Sequence, residues 1–429
     1  MCRSGILALI LVVAIMLSIT TALAHTPDTT KIRVIVGVKH DYDFAKARAE
    51  LTKLGTVVNE ISQIRAIVLE VPRVAFEHIK NMPFVRYVEE DKIVIAYRGP
   101  PITPPGKSGE STTQNYEFDW NEKMINATDV WAEYNSTYGD AAYGYHAVIQ
   151  VAVVDTGIDY DHPDLEGAVT WCFTTYYTRG KAAFYSIYEG TDVSNCDDKN
   201  DHGTHVAGII AARLNDAGVA GVAPKVVLYA IRVLLPDGTG YVSDVAQGIS
   251  EAVDGPDNTP GTEDDADVIS MSLGGPDSQT LYEAVKYAYS YGVVLVAAAG
   301  NEGADQPSYP AAYSEVIAVG AIDQNYQVPD WSNRNPDVVA PGVDVMSTIP
   351  DGGYDTMSGT SMACPHVSGT VALIQALRLA AGLSKLTPDE VMQLLRNTAI
   401  DLGDPGYDSL YGYGLVDAYA AVKVALGQG

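Results

Sequence analysis

Ser361 has the sequence surroundings that best suit a nucleophile. It lies in the small-residue segment Gly359-Thr360-Ser361-Met362-Ala363, and a helical run, residues 370–380, follows at once. A hydroxyl in the first turn of a helix sits at the positive end of the helix dipole, among N–H groups without partners in the helix. That position suits a nucleophile whose attack creates an oxyanion. A lone serine there more often only caps the helix, so its interpretation depends on partner residues.

Two upstream motifs supply an acid and a base. The apolar run Val151-Ala152-Val153-Val154 leads directly into Asp155, whose charge at the end of a buried strand needs a partner. The segment Asp201-His202-Gly203-Thr204-His205 brings histidine to the start of a helical stretch. Either motif alone is usually structural. Both together, in this order ahead of Ser361, are not expected by chance and indicate catalysis.

The other polar candidates are weaker. His205 could replace His202 as the base or form a metal pair with it, but the His-Glu-x-x-His spacing of zinc proteases is absent from the sequence. His366 is predicted to be a structural helix histidine. Asn301 follows the apolar run of residues 293–298, a place where asparagine usually serves turn chemistry.

Short apolar runs alternate with helical segments from residue 147 onward. The predicted strands are residues 148–154, 226–233, 268–271, 293–298 and 316–319. The predicted helices lie near residues 205–215, 242–253, 281–291, 370–381 and 388–398. This alternation predicts an α/β fold with a doubly wound parallel sheet, whose active site lies at the carboxyl ends of the strands.

Residues 31–97 show a separate, smaller α+β pattern. A strand over 32–38, a helix over 43–54, two strands within 56–71, a helix over 74–81 and a closing strand over 85–96 are predicted. The proline-rich stretch 99–106 breaks all periodicity and is typical of a linker. Residues 1–24, with Arg3 and an apolar run over 6–19, are typical of a secretory signal cleaved after Ala24. A membrane anchor is the alternative, for which the run is short.

Composition narrows the classes of partner. The net charge is −27, with 54 acidic and 27 basic residues, which argues against nucleic acid and anionic membranes and leaves many oxygen ligands for hard cations. Export makes a disulfide between Cys172 and Cys196 plausible, closing a loop of roughly 25 residues. Cys364 is expected to pack as a small hydrophobe.

With these motifs the chain resembles a known family, the subtilisin-like serine proteases or subtilases. All three signature segments are present, and the match covers residues 147 to about 425. The resemblance implies that Ser361 attacks the peptide carbonyl, that His202 transfers its proton and that Asp155 orients His202. It also makes Asn301 an oxyanion donor alongside the Ser361 N–H.

The upstream unit resembles a subtilase propeptide, which acts as intramolecular chaperone and inhibitor. The implied organisation is a signal peptide over 1–24, a ferredoxin-like propeptide over 25–97, a linker over 98–115 and a catalytic domain over 116–429. The arrangement looks most like the calcium-dependent pro-subtilisins of hyperthermophilic archaea, so thermostability is expected. Self-cleavage is predicted between Tyr97 and Arg98, with Tyr97 filling an apolar pocket.

The resemblance also implies where substrate binds. Two segments, Gly238-Thr239-Gly240 and Ser272-Leu273-Gly274, would pair with substrate as added strands. The pocket beside Ala299 and Gly300 is expected to take large apolar or aromatic side chains, and Glu302 could also admit a basic one. Broad specificity for polypeptide substrates follows from main-chain recognition.

A structural calcium site is implied by the same match. Its ligands would be the Asp164 carboxylate, the Asn215 amide and the carbonyls of Arg213, Ala217 and Val219. A further family ligand falls at Tyr116, where Gln114 or Glu117 would have to substitute. The acidic stretch 254–267 is a second candidate, with a solvated loop as the alternative.

The sequence therefore predicts a secreted, calcium-dependent serine endopeptidase, expected to be monomeric and made as a self-processing zymogen. A catalytically silent homologue acting as a binding protein would be expected to lack Ser361, His202 or Asn301, and none is missing. A serine esterase of the α/β-hydrolase type is expected to contain the motif Gly-x-Ser-x-Gly, which residues 359–363 do not match.

Overall fold

A computed structural model describes residues 30–98, 120–179 and 182–428 of the chain. The predicted signal peptide, most of the predicted linker and Tyr116 with its two substitutes lie outside these residues. Within the described ranges, no helix is both long and apolar enough to cross a membrane.

The N-terminal unit is a four-stranded antiparallel sheet covered on one face by two helices. Its strands follow the order β2-β3-β1-β4, which is the ferredoxin-like arrangement that the sequence predicts. Its elements are β1 (Lys31–Val38), α1 (Phe44–Leu51), β2 (Thr56–Ile61), β3 (Ala66–Pro72), α2 (Phe76–Lys80) and β4 (Val85–Glu90). Asp43 caps α1 by accepting a hydrogen bond from Lys46 N.

The predicted closing strand over residues 85–96 is wrong as a single element. It divides at Asp91 and Lys92, and its second half, β5 (Ile93–Ala96), leaves the N-terminal sheet. β5 lies instead between β10 (Thr239–Tyr241) and β12 (Leu273–Gly274), antiparallel to both. Residues 89–92 are four charged residues that interrupt the apolar pattern where the strand divides. A sequence pattern indicates strands but does not reveal that the two halves pair with different partners.

An eight-stranded sheet forms the centre of the larger domain. Its order is β15-β14-β13-β11-β6-β9-β7-β8, and neighbouring strands run parallel except in the edge hairpin β7–β8. The strands are β6 (Gln150–Asp155), β7 (Val169–Arg179), β8 (Ala182–Gly190), β9 (Val227–Arg232), β11 (Val268–Met271), β13 (Val294–Ala298), β14 (Val316–Ile322) and β15 (Val338–Pro341). The predicted doubly wound α/β class is confirmed, with an antiparallel edge that the sequence did not indicate.

Helices cover both faces of this sheet, and a separate hairpin lies outside it. The helices are α3 (Trp120–Met124), α4 (Ala127–Tyr138), α5 (His202–Ala211), α6 (Val242–Asp254), α7 (Gln279–Ser290), α8 (Thr360–Ala380), α9 (Pro388–Thr398) and α10 (Ala418–Ala425). The hairpin consists of β16 (Val345–Ile349) and β17 (Gly353–Met357). The predicted helix over 205–215 is displaced toward the N-terminus. The observed helix, α5, begins at His202 and ends at Ala211.

Two apolar cores lie on opposite faces of the central sheet. One packs α5 and α8 against it, with Val206, Ile210 and Val371 fully buried. The other packs α6 and α7 and extends into the N-terminal unit, whose Ile35 and Val68 belong to the same cluster. The N-terminal sheet therefore docks on the α6–α7 side of the larger domain through a continuous apolar contact.

Candidate active site

Asp155 and His202 meet at the carboxyl edge of the central sheet. Asp155 is the last residue of β6, and His202 is the first residue of α5. The Nδ1 atom of His202 lies 2.8 Å from Asp155 Oδ1 and 3.0 Å from Oδ2. Both side chains are fully buried, so the carboxylate holds the imidazole in one orientation, with Nδ1–H donating and Nε2 free to accept a proton.

Asp198 positions this pair and was not singled out from the sequence. Its Oδ1 accepts from Thr156 Oγ1 at 2.9 Å, and its Oδ2 accepts from Thr204 N at 3.0 Å and from Thr204 Oγ1. Thr156 follows Asp155, and Thr204 is in the first turn of α5. Asp198 therefore ties the segment that carries the acid to the helix that carries the base. The sequence offered no signal for this role, because the acidic stretch 197–201 also fits a surface loop.

Ser361 lies in the first turn of α8, as the sequence predicts, and is fully buried. Its Oγ donates to the carbonyl oxygen of Ser272 at 2.9 Å, and Ser272 Oγ donates back to the carbonyl of Ser361 at 2.8 Å. His202 Nε2 has no hydrogen-bond partner among the described residues. In this state the serine hydroxyl is therefore directed at Ser272 and not at the base.

Asn301 directs an unpaired amide into the same region. Its Oδ1 accepts from both the backbone N and the Oγ1 of Thr360, each at 2.9 Å. With the oxygen held in this way, Nδ2 is buried and has no partner among the described residues. A buried donor without an acceptor is costly unless a ligand satisfies it. The arrangement can stabilise an oxyanion beside Ser361, whose own N–H is in the first helical turn.

The residues predicted to pair with substrate are occupied by the chain itself. β5 lies between β10 and β12, so Ile95 faces Thr239 on one side and Gly274 on the other. At the end of β5, Ala96 N donates to the Gly238 carbonyl at 2.9 Å, and the next residue, Tyr97, donates from its N to the Ser272 carbonyl at 3.2 Å. Because Ser361 Oγ donates to this same Ser272 oxygen, the end of β5 lies directly beside the serine.

Tyr97 fills a buried pocket and is 4% exposed. Its ring lies so close to Gly274 that a Cβ there would come within 2.4 Å of Tyr97 Cε2. Its hydroxyl bonds to Ser308. Burial raises the pKa of the Tyr97 phenol, the bond to Ser308 lowers it, and the charge of Glu302 raises it further. Ser308 and its position in this pocket were not evident from the sequence.

Ala299 and Gly300 lie beside Ser308, the residue that bonds to the Tyr97 hydroxyl. The Ala299 carbonyl accepts from Ser308 N and from Asn333 Nδ2, both at 2.9 Å. Gly300 has a φ of 112°, and a Cβ there would meet Asn333 Nδ2 at 2.3 Å and Glu302 Oε2 at 2.6 Å. Asn333 Nδ2 donates to Glu302 Oε2 at 2.8 Å, and Glu302 itself is exposed, in keeping with a position at the rim of the pocket.

The two other histidines that the sequence singled out, His205 and His366, have structural contacts. His205 Nε2 donates to the carbonyls of Val345 and Asp355, each at 3.1 Å, and burial lowers its pKa to about 3. His366 is bonded to the Met362 carbonyl at 2.8 Å, and burial lowers its pKa to about 4. The His202–His205 metal pair is not formed, since His205 faces backbone carbonyls on β16 and β17.

Three of the residues predicted as calcium ligands contact Asp164, which is fully buried; the fourth, Ala217, donates from its N to Asn215 Oδ1 at 3.2 Å. The Asp164 carboxylate accepts from Asn215 Nδ2 and Val219 N, each at 3.0 Å, and Arg213 N donates to the Asp164 carbonyl at 2.8 Å. Gly218, with a φ of 61°, passes so close that a Cβ would lie 2.0 Å from Asp164 Oδ2. The donor set of carboxylate, amide and carbonyl oxygens fits calcium, provided that the Asn215 amide turns its oxygen toward the ion.

The acidic stretch 254–267 does not act as one cluster. Asp254 accepts from Gln63 and Tyr287, and Asp267 pairs with Lys385 at 2.5 Å. Oxygens of the three other aspartates lie within 4.8 Å of one another; these residues are Asp257, Asp264 and Asp265. Only these three could share an ion.

The predicted disulfide is not formed in the structure, where Cys172, Cys196 and Cys364 are all free and buried. The Cys196 thiol nevertheless interacts with Cys172, and burial together with this contact raises the pKa of Cys196 well above its ordinary value. The two thiols are therefore neighbours, and the disulfide stays a prediction. Cys364 packs in the core behind Ser361, as expected.

The chain is similar in sequence to known proteases. A sequence profile of the subtilase family matches residues 147–414. Subtilisin BL of Lederbergia lenta is 43% identical over 277 residues, which are 64% of this chain and 91% of that protein. The alkaline protease of Alkalihalobacillus alcalophilus is 36% identical over 369 residues, 86% of this chain and 82% of its own. The thermophilic serine proteinase of Bacillus sp. (strain AK1) is 40% identical over 276 residues, 64% of this chain but only 61% of its own length.

Proposed function

Because the chain belongs to the subtilase family of serine proteases, we propose that it is a secreted endopeptidase made as a self-processing zymogen. The observation that carries the proposal is the position of Tyr97. Its N–H and the Ser361 hydroxyl donate to one oxygen, the Ser272 carbonyl. A chain segment bound as an added strand, with an aromatic side chain in a pocket beside the serine, is a peptide substrate held in a cleft.

The chemistry assigned to the site residues follows from their contacts. Ser361 Oγ turns from the Ser272 carbonyl toward His202 Nε2, which takes its proton as the oxygen attacks the carbonyl carbon. Asp155 stabilises the imidazolium that results, and His202 then delivers the proton to the leaving amine. The Asn301 Nδ2 donor and the Ser361 N–H stabilise the oxyanion of the intermediate. Calcium at Asp164 would stabilise the fold and takes no part in these steps.

The bond that lies in the cleft follows Tyr97. Arg98, on its other side, donates from Nη2 to Asn200 Oδ1 at 2.7 Å and to the Asn200 carbonyl at 3.0 Å. We assign this bond as the processing site, residues 25–97 as the propeptide and residues 116–429 as the catalytic domain. Residues 1–24 are assigned as the signal and 98–115 as a linker. The contacts of β5 keep the cleaved propeptide in place as an inhibitor.

The test is the fate of the full chain with and without Ser361. Intact mass and N-terminal sequencing of the wild type should give Arg98 as the first new N-terminus. The S361A variant should stay uncleaved, fold normally and hydrolyse no peptide, while S384A, at an exposed serine outside the site, should process like the wild type. A ragged set of termini that starts after Pro105 and forms equally in S361A would end the assignment. A folded wild type that never processes would favour a silent binding homologue.

A further inference from the structure

One arginine of the N-terminal unit is buried against the larger domain. Arg33, on β1, has 12% of its side chain exposed, and its Nε lies 2.6 Å from Asp91 Oδ2. Its Nη2 lies 3.1 Å from Asp244 Oδ1 and donates to Ser243 Oγ at 2.8 Å. The guanidinium therefore lies between a carboxylate of its own unit and a carboxylate on α6.

Aromatic rings complete the surroundings of this cation. The Arg33 Cζ atom lies 4.2 Å from the centroid of the Tyr241 ring and 5.5 Å from that of Tyr185, both within the range of a cation–π contact. The Tyr176 hydroxyl donates to the second oxygen of Asp244. These side chains of the larger domain are called the guanidinium cage below; they are Tyr176, Tyr185, Tyr241, Ser243 and Asp244.

The guanidinium cage and its occupant belong to parts of the chain that separate on processing. Arg33 and Asp91 both lie before Tyr97, whereas Asp244 lies in the catalytic domain. Once the propeptide leaves, Asp244 loses the cation that it contacts in the zymogen. A carboxylate that is fully buried in the zymogen, and still oriented by Tyr176, then favours a new cation of the same shape.

The guanidinium cage is continuous with the substrate cleft. α6 begins directly after β10, which pairs with β5. The backbone upstream of β5 continues along this line, since Val242 N donates to the Lys92 carbonyl at 2.9 Å and Ser243 N donates to Asp91 Oδ1 at 3.0 Å. A substrate that follows the same path carries its side chain at the Asp91 position to Ser243 and Asp244.

We propose that the guanidinium cage is a specificity site of the processed enzyme, which selects polypeptides with arginine at the position that Asp91 occupies in the zymogen. In the zymogen Asp91 supplies no cation of its own, and Arg33 bridges it to Asp244. In a substrate, an arginine at this position supplies the cation directly and places it between the Tyr185 and Tyr241 rings. This inference rests on the proposed processing at Tyr97, because removal of the propeptide opens the site.

The test uses processed wild-type enzyme and two peptides that copy residues 88–103. One carries arginine in place of Asp91, and the other carries citrulline, which has the same shape without the charge. We expect kcat/KM to be about tenfold higher for the arginine peptide, as one charge-assisted hydrogen bond to a buried carboxylate would give. Added salt should reduce the difference.

Two variants make the assignment specific. D244N should cleave both peptides at the rate at which the wild type cleaves the citrulline peptide. E251Q removes a carboxylate from the same helix, about two turns away, and should keep the preference. Equal rates for both peptides in the wild type, or a preference that D244N retains, would contradict the specificity role of the guanidinium cage. Either result would leave the protease assignment intact. Cleavage of neither peptide would overturn both.

Discussion

Tyr97 and Ser361 donate to the same oxygen atom: Tyr97 N at 3.2 Å and Ser361 Oγ at 2.9 Å from the carbonyl oxygen of Ser272. The backbone of the bound segment and the hydroxyl of the serine thus share one acceptor. The hydroxyl is directed at Ser272, and His202 Nε2 has no partner among the described residues. The proposed attack therefore requires the hydroxyl to turn toward His202.

The size of the Tyr97 pocket is set by Gly274. In G274A the new Cβ would lie 2.4 Å from both Cε2 and the hydroxyl oxygen of Tyr97, so an aromatic ring no longer fits. We expect self-processing to slow by about tenfold or more. Peptides with tyrosine before the scissile bond should lose more kcat/KM than matched peptides with alanine there. An unchanged tyrosine-to-alanine ratio would show that Gly274 does not border the pocket.

Thr360 should act through Asn301. Its Oγ1 holds the Asn301 amide oxygen at 2.9 Å, and this bond points Nδ2 into the site. The nearly isosteric T360V variant loses the bond, so kcat is expected to fall by about tenfold while KM stays nearly the same. N301A should lose roughly 10²–10³-fold, a magnitude that comes from subtilisin. If Thr360 were only structural, T360V would lower the melting temperature without changing kcat of the folded enzyme.

Release of the propeptide should depend on pH through Asp91. Burial raises its pKa to about 6, although Arg33 and Ser243 oppose the shift and Asp244 adds to it. A carboxyl whose pKa is higher in the docked state favours docking when it is protonated. That contribution is fully present below the ordinary pKa of about 3.8 and is lost as the pH rises through about 6.

The cleaved propeptide should therefore dissociate roughly ten- to hundredfold faster at about pH 7.5 than at about pH 4.5. The processed complex would be incubated at each pH, and both free propeptide and activity would be measured after transfer to one common buffer. D91N carries no titrating group and should flatten the dependence between these two values. The same pH dependence in D91N would assign it to other residues.

Calcium should stabilise the fold through Asp164. A ligand that binds only the folded state adds about 2.7 kcal/mol at a hundred times its Kd, and Asp164 anchors the predicted ligand loop. Thermal unfolding of S361A, which cannot digest itself, would be compared in calcium and in chelator. Adding D164N should abolish most of the difference. Replacing Asp257, Asp264 and Asp265 by asparagine should leave most of it, and the opposite result would move the site to that cluster.

The thiols of Cys172 and Cys196 should form a disulfide bond when the protein is exported. Oxidation would close a loop of roughly 25 residues and contribute about 3 kcal/mol. Mass spectrometry of non-reduced peptides should find this pair linked, with Cys364 still a thiol. C172S should unfold at a lower temperature than the oxidised wild type, while under reducing conditions the two should differ little. Two free thiols in the exported protein would contradict the prediction.

The local sequence was enough to predict the fold class and to single out Asp155, His202, Asn301 and Ser361 as candidate site residues. Apolar runs that end in Asp155 and in the segment before Asn301 indicate buried parallel strands, because a strand covered on both faces has few polar positions. The small-residue segment around Ser361 likewise marks a crowded helix start. These signals are carried by neighbours in the chain, so they can be read without the fold.

Contacts between distant segments could not be read in this way. The pairing of β5 with β10 and β12, the Asp198 bonds to Thr156 and Thr204, and the burial of Arg33 against Asp244 all join residues with no common local pattern. The division of residues 85–96 between two sheets has the same cause, since alternation specifies a strand but not its partner. Tertiary structure alone decided which carboxylate meets which cation, because burial and charge complementarity act across space and not along the chain.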